Sequence, residues 1–180
     1  ALGSNLSSSF GDRFENINMA ITYLESYGIN IVKKSHFYES YSYPNKKNPK
    51  FINIVISVKT HLPPVDLISV LLFIEEKLER QRNKKNDPRT CDIDIIDYKN
   101  QVLDLKYKNL NLTVPHKKLI SRNFVLLPLK EISPEWKHPI TKEDIGALVD
   151  KLSEEDKKSI LKTKKNWYNN MMLNRDELIK

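Results

Sequence analysis

Asp92 and Asp94 stand two residues apart in the run Pro88-Arg89-Thr90-Cys91-Asp92-Ile93-Asp94-Ile95-Ile96. From Cys91 the run alternates, with Cys91, Ile93 and Ile95 at one parity and Asp92, Asp94 and Ile96 at the other. Such alternation predicts a strand, which projects both carboxylates from one face about 6–7 Å apart. Like charges that close repel, so a fold that keeps them together places a cation between them. A hard divalent cation suits the pair, above all magnesium bridging phosphates. On that reading Asp94→Asn leaves the metal-free protein as stable as before or slightly more so. The plain alternative is an edge strand with its polar face in water.

The neighbouring residues bear on the choice. Arg80, Arg82, Lys84 and Lys85 precede the run in a segment without apolar residues, which suits either a solvated loop or a lid closing over phosphates. Glu75 falls on the apolar stripe of a helix expected over about Val65 to Glu79, with Leu67, Ile68, Leu71, Leu72 and Leu78. A carboxylate there needs a partner or marks a site; a snorkelling Glu at the stripe edge is the alternative. Phe51 and Asn53 share one face of a strand expected over Phe51 to Thr60, with Ile52, Ile54, Ile56 and Val58 on the other. A ring and an amide side by side could hold a flat heterocycle, or be core and strand end. His116, Arg122 and Phe124 lie close together after Pro115.

The elements that must position these groups are legible in outline. Ala1-Leu2-Gly3-Ser4-Asn5 reads as the end of a strand whose start lies upstream of Ala1. Asp12-x-x-Glu15 predicts a capping box, then a helix with Phe14, Ile17, Ile21 and Leu24 on one stripe and Gly28 as its stop. A strand is expected over Ile29 to Tyr38, a polar loop over Tyr41 to Lys50, and a hairpin turn at Tyr98-Lys99-Asn100-Gln101. Thr141-x-x-Asp144 predicts the cap of a last short helix through Ile145, Leu148, Val149 and Leu152. Residues 1–152 read as one domain. Residues 153–180 read as a charged tail or linker, with a possible helix holding Ile160, Trp167 and Leu173.

At 180 residues and 39% hydrophobic, the chain is long enough to bury a core. One cysteine excludes a disulfide framework and fits a reducing compartment, here the cytoplasm. No apolar run approaches the roughly 20 residues of a membrane span, and no membrane partner is expected. The net charge of +7 favours anionic partners, weakly, because the lysines behind it are scattered.

Taken together, Gly3-Ser4-Asn5, Tyr38, Phe51-x-Asn53, Ile74-Glu75, Arg80-x-Arg82, Pro88-Arg89-Thr90-x-Asp92-x-Asp94-Ile95, Val114-Pro115-His116 and Arg122-x-Phe124-x-Leu126-x-Pro128-Leu129 resemble the 6-hydroxymethyl-7,8-dihydropterin pyrophosphokinases. The resemblance implies an α/β (α+β) ferredoxin-like sandwich, with helices packed on a mostly antiparallel sheet. It implies transfer of pyrophosphate from MgATP to the pterin hydroxymethyl oxygen, giving AMP, in folate biosynthesis. By resemblance Asp92 and Asp94 hold two magnesium ions, and Arg80 and Arg89 act on the phosphates. Ile95, Thr113, His116, Arg122 and Arg82 would contact ATP, while Gly3, Tyr43, Phe51, Asn53 and Phe124 would hold the pterin. Some members are fused to dihydropteroate synthase, so fusion to or association with that enzyme is an implied partnership.

The chain departs from the family pattern in three places. Glu79 stands where a glycine is usual, the loop 83–87 is a residue short without the tryptophan of some relatives, and Lys117 replaces a frequent tyrosine. The rival class is a basic RNA-recognition module. It should show closely spaced aromatics on two central strands in a glycine-containing motif. That motif is absent, so no nucleic-acid partner is expected.

Overall fold

The structure is a computed structural model that describes residues 1–81, 87–107, 110–165 and 167. Its first helix, α1 (Arg13–Ser26), opens with the expected capping box. Asp12 accepts from the Phe14 and Glu15 amides, while Glu15 accepts from the Asp12 N–H. Ile17, Ala20, Ile21 and Leu24 are buried along it, and the chain leaves it through Gly28 at φ 71°, a left-handed turn that glycine takes without strain. The second helix, α2 (Pro64–Lys77), starts on the Pro63-Pro64 pair and buries Leu67, Leu71 and Ile74, with Glu75 among them.

Two extended runs, each bent once, build most of the sheet. The first supplies β2 (Asn30–Lys34) and β3 (Tyr38–Ser40); the second supplies β4 (Phe51–Ile54) and β5 (Ile56–Lys59). β3 pairs with β4 and β2 with β5, both antiparallel. The bend lies at Ser35 and Val55, where the Ser35 amide donates to the Val55 carbonyl and the Val55 amide to Ser35 Oγ. The main sheet adds β1 (Leu2–Ser4) and β6 (Asp92–Ile93) in the antiparallel order β6-β1-β4-β3. Counting each bent run once, this is the fourth-first-third-second order of a ferredoxin-like sheet.

Helices cover both faces. Leu2, Ile52, Ile54 and Ile93 pack with α1 and α2 in one core. Val55 and Ile96 pack in a second core with α3 (Asn123–Ile132) and α4 (Ile145–Asp150), through Val125, Leu126, Leu129, Ile145 and Leu148. The expected fold class is therefore present.

Four local expectations are corrected. Only Asp92 and Ile93 of the aspartate run lie in a ladder, although Asp94 continues it by exchanging backbone hydrogen bonds with Ala1. The turn at Tyr98 to Gln101 forms, with Lys99 and Asn100 at positive φ, but joins no hairpin. β6 is already taken by β1, so β7 (Leu103–Tyr107) pairs forward with β8 (Leu110–Val114). α4 opens at Asp144 without a side-chain cap, and the Thr141 amide donates to His138 Nδ1 instead.

The fourth correction concerns the tail. Ser153 caps α5 (Glu154–Lys158), and β9 (Ile160–Lys162) joins the main sheet beside β3, so Ile160 lies in a strand. Trp167 tilts over Phe37 at 4.2 Å between ring centroids and donates to the Ser35 carbonyl at 2.7 Å. These residues belong to the fold, and Leu173 lies outside the described residues. Among the described residues, no helix is long and apolar enough to cross a membrane.

Candidate active site

The two aspartates project from one face of the sheet edge, because Cys91 and Ile93 between and beside them are drawn into the core. Asp92 is met by two guanidiniums. Arg80 Nη1 lies 2.6 Å from its Oδ1, and Arg89 Nη1 lies 3.1 Å from its Oδ2. Asp94 is met by Arg122 Nη1 at 2.7 Å and by His116 Nε2 at 3.9 Å, both on Oδ2. Repulsion between the carboxylates is thus relieved by cations of the chain itself. Burial pushes the Asp94 carboxyl up, but His116 and Arg122 outweigh it and hold it below the usual carboxylate value. The expectation that Asp94→Asn is harmless to the metal-free protein changes sign accordingly.

Each cation is positioned by its own neighbours. Arg80 leaves the end of α2 and also pairs with Glu75, whose carboxylate accepts from the Ile93 amide at 2.7 Å. Burial alone would lower the Arg80 guanidinium, and Asp92 and Glu75 together raise it. Glu79, just before it, sits at φ 63°, which explains the glycine usual there. Its carboxylate accepts from both the backbone and hydroxyl of Ser9, tying the first loop to the start of the basic segment. The Arg89 amide donates to Asn5 Oδ1 at 2.7 Å, and Asn5 Nδ2 reaches Ser42 and the Pro49 carbonyl. Asn5 therefore fastens three loops at one point. His116 donates its amide to the Ile96 carbonyl, and burial lowers its imidazole below the ordinary value against the pull of Asp94.

A cavity of about 600 Å³ opens beside the aspartates. Gly3, Tyr43, Phe51, Asn53, Arg89, Asp92, Asp94, Arg122 and Phe124 all line it. The Phe51 ring lies 5.7 Å from the Arg89 guanidinium carbon, and the Phe124 ring 5.6 Å from that of Arg122. Asn53 is buried, its Nδ2 bonded to Ser40 Oγ and the Tyr38 carbonyl. A Cβ on Gly3 would stand 3.4 Å from Asn53 Oδ1 and 3.5 Å from Phe51 Cδ1, so larger side chains there would fill the cavity. Tyr43 stands at the mouth, 84% exposed.

Other expected residues lie elsewhere. Arg80 and His116 meet the aspartates without lining the cavity. Ile95 lines a different cleft, and Thr113 Oγ1 donates to Asp104 at 2.9 Å on the β7–β8 hairpin. Arg82 lies outside the described residues. Tyr38 donates to Glu131 at 2.7 Å and fixes α3 to β3 rather than facing the cavity.

Sequence reasoning placed Asn5 in a motif but gave it no role, and it missed the wall of the cavity made by Asn123, Asp156 and Ser159. Asn123 Nδ2 donates to the Asp156 carbonyl and Ser159 Oγ, while its Oδ1 accepts from the Phe124 amide. Its place inside Arg122-x-Phe124 is the one signal the sequence holds.

The family model described as 7,8-dihydro-6-hydroxymethylpterin-pyrophosphokinase (HPPK) matches residues 1–134. The 2-amino-4-hydroxy-6-hydroxymethyldihydropteridine pyrophosphokinase of Aquifex aeolicus is 38% identical over 144 residues, 80% of this chain and 84% of that protein. The folic acid synthesis protein fol1 of Pneumocystis carinii is 35% identical over 161 residues, 89% of this chain but only 21% of its own length. The HPPK-DHPS crystal structure of Plasmodium falciparum superposes with a TM-score of 0.69 at 17% identity, covering 87% of this chain and 44% of that one, a likeness of fold. The chain belongs to the 7,8-dihydro-6-hydroxymethylpterin-pyrophosphokinase family.

Proposed function

We propose that the protein transfers pyrophosphate from MgATP to the hydroxymethyl oxygen of 6-hydroxymethyl-7,8-dihydropterin, releasing AMP. The observation that carries this reading is the meeting of the Asp92–Asp94 face with Arg80, Arg89, Arg122 and His116 beside a cavity flanked by Phe51 and Phe124.

The donor set fits magnesium. Among the described residues no group of three His, Cys, Asp or Glu could hold a metal by itself. Two carboxylates open to a cavity match an ion that takes one or two protein ligands and completes its shell with phosphate oxygens and water. Bound there, two magnesium ions would offset the negative charge of the phosphates being transferred.

The remaining roles fall to the chain's own groups. Arg80 and Arg89 shift between carboxylate and phosphate oxygens and hold the β- and γ-phosphates in line with the attacking hydroxyl. Arg122, Arg82, Thr113, Ile95 and His116 serve the nucleotide. Phe51 and Phe124 hold the pterin faces, Asn53 Oδ1 reads its edge past Gly3, and Tyr43 closes the mouth. The lid expected of the basic segment after Arg80 falls on residues 82–86, which lie outside the described residues, and direct in-line transfer needs no covalent enzyme intermediate.

The reading extends to the setting of the chain. The catalytic domain runs past Leu152 through at least Lys162, and fusion to or association with a dihydropteroate synthase accords with the HPPK-DHPS relatives. A cytoplasmic location fits the single buried thiol. The test is nucleotide analysis with ATP and magnesium, with and without the pterin. AMP and a pterin diphosphate are expected only with the pterin present. ADP as the main product, or a pyrophosphorylated protein, would overturn the reading.

A further inference from the structure

Arg122 stands at the head of α3 without capping it, because its guanidinium is drawn to Asp94. The Phe124 amide in that first turn is met instead by Asn123 Oδ1 at 2.7 Å. The same Asn123 turns its Nδ2 to the Asp156 carbonyl at 2.6 Å and to Ser159 Oγ at 2.9 Å, where α5 gives way to β9. We propose that Asn123 is a positioning residue for the pterin, which carries the docking of the segment after Leu152 through to the Phe124 ring. The proposal rests on Phe51 and Phe124 being the two walls of the pterin site.

The segment is held along its length. Ser153 Oγ accepts the Asp156 amide at the start of α5, and Ser159 Oγ donates to the Asp156 carbonyl at its end. β9 then sets Ile160 opposite Ser40 and Lys162 opposite Tyr38 on β3. Beyond β9, the Thr163 amide donates to the Phe37 carbonyl, and Trp167 covers the Phe37 ring. The segment therefore backs both sides of the cavity. On one side it supports Ser40, which faces Phe51 across β4 and accepts Asn53 Nδ2 on its hydroxyl at 3.0 Å. On the other it grips Asn123, and Asp156 and Ser159 line the cavity themselves.

The two residues that flank Asn123 depend on it unequally. Arg122 has its own anchor on Asp94, so its guanidinium keeps its place when Asn123 changes. The Phe124 side chain has no polar group to tie down, and its ring is only partly buried against the second core. Its backbone is fixed through the amide that Asn123 holds. A shift of about 1 Å in a positioning group is enough to spoil a bound geometry. Loss of Asn123 should therefore fall on the pterin and spare the nucleotide, whereas a cap that served stability alone would move neither substrate.

The test compares wild type, Asn123→Ala, Phe124→Ala, the double variant and Trp167→Ala in pterin-dependent release of AMP. Asn123→Ala should raise the KM for the pterin about fivefold, with kcat and the KM for ATP within about twofold of wild type. In the Phe124→Ala background it should add nothing, because it acts through that ring. Trp167→Ala frees the far end of the segment and should raise the pterin KM about threefold. If Asn123→Ala does not fold, Asn123→Asp takes its place. It keeps an oxygen for the Phe124 amide, loses the donor to Asp156, and should show the same rise. An unchanged pterin KM at position 123 or in Trp167→Ala, whatever the thermal midpoint does, would overturn the proposal, as would additive effects in the double variant. A wild type that releases no AMP with the pterin would instead overturn the function on which the proposal rests.

Discussion

Glu75 accepts the Ile93 amide at 2.7 Å, so the core helix α2 grips from behind the strand that carries both aspartates. The same buried carboxylate pairs with Arg80. Glu75→Ala should lower stability by about 2–4 kcal/mol in urea unfolding, because it strands a buried amide and removes a partner of a partly buried guanidinium. Glu75→Gln keeps an acceptor for Ile93 and should cost less. The exposed neighbour serves as the control, since Glu76→Ala should change stability by no more than about 0.5 kcal/mol.

Glu79 holds a left-handed backbone conformation that glycine would take without strain. Its two bonds from Ser9 offset part of that strain. Glu79→Ala and Glu79→Gly both lose the bonds, but only the glycine relieves the backbone. The thermal midpoint of Glu79→Gly should therefore exceed that of Glu79→Ala by about 2–4 °C. Equal midpoints would mean that the left-handed conformation carries no penalty here.

Glu131 joins α3 to the β3 region through His36 and Tyr38. Burial pushes its carboxyl up, and the bonds from His36 and Tyr38 outweigh this and hold it below the usual 4.5. A folded-state value below the unfolded one gives stability that is fully present above about pH 4.5 and is lost as pH falls through the lowered value. Unfolding free energies of wild type and Glu131→Gln should differ most above pH 4.5 and converge in acid. A gap that widens on acidification would contradict the assignment.

Phe124 lines the cavity with its ring beside the Arg122 guanidinium. Phe124→Ala should raise the KM for the pterin roughly tenfold, the scale of one lost ring–base stack, with little change in the KM for ATP. Equal effects on both substrates would remove Phe124 from the pterin side.

Features set by local patterns are legible in the sequence. The capping box at Asp12 and Glu15 depends on residues three apart, and the shared face of Asp92 and Asp94 follows from the period of a strand. Glu75 stands out because its place on an apolar stripe demands a partner. Which partner it takes depends on how α2 lies against β6, and no local pattern encodes that. β9 is hidden for a related reason. It is three residues long, buries only Ile160, and pairs with β3 from far along the chain. Lys99 and Asn100 announce a turn, but strand pairing is decided by the sheet around it. The partner of Asp94 is hidden in the sequence because Arg122 comes from a separate element, and with that partner in place the sign expected for Asp94→Asn reverses.

Asp94 gives the sharpest test. In chelator, Asp94→Asn should lower stability by about 1 kcal/mol, since Arg122 and His116 hold the charged carboxylate. The upward thermal shift given by MgATP to the wild type should largely disappear. The decisive measurement is pterin-dependent release of AMP from ATP with magnesium, for wild type and Asp94→Asn. The wild type should release AMP only when the pterin is present, and the variant should be slower by roughly a hundredfold or more. Near-normal turnover by Asp94→Asn would contradict a metal-binding, phosphate-transferring role for the aspartate face.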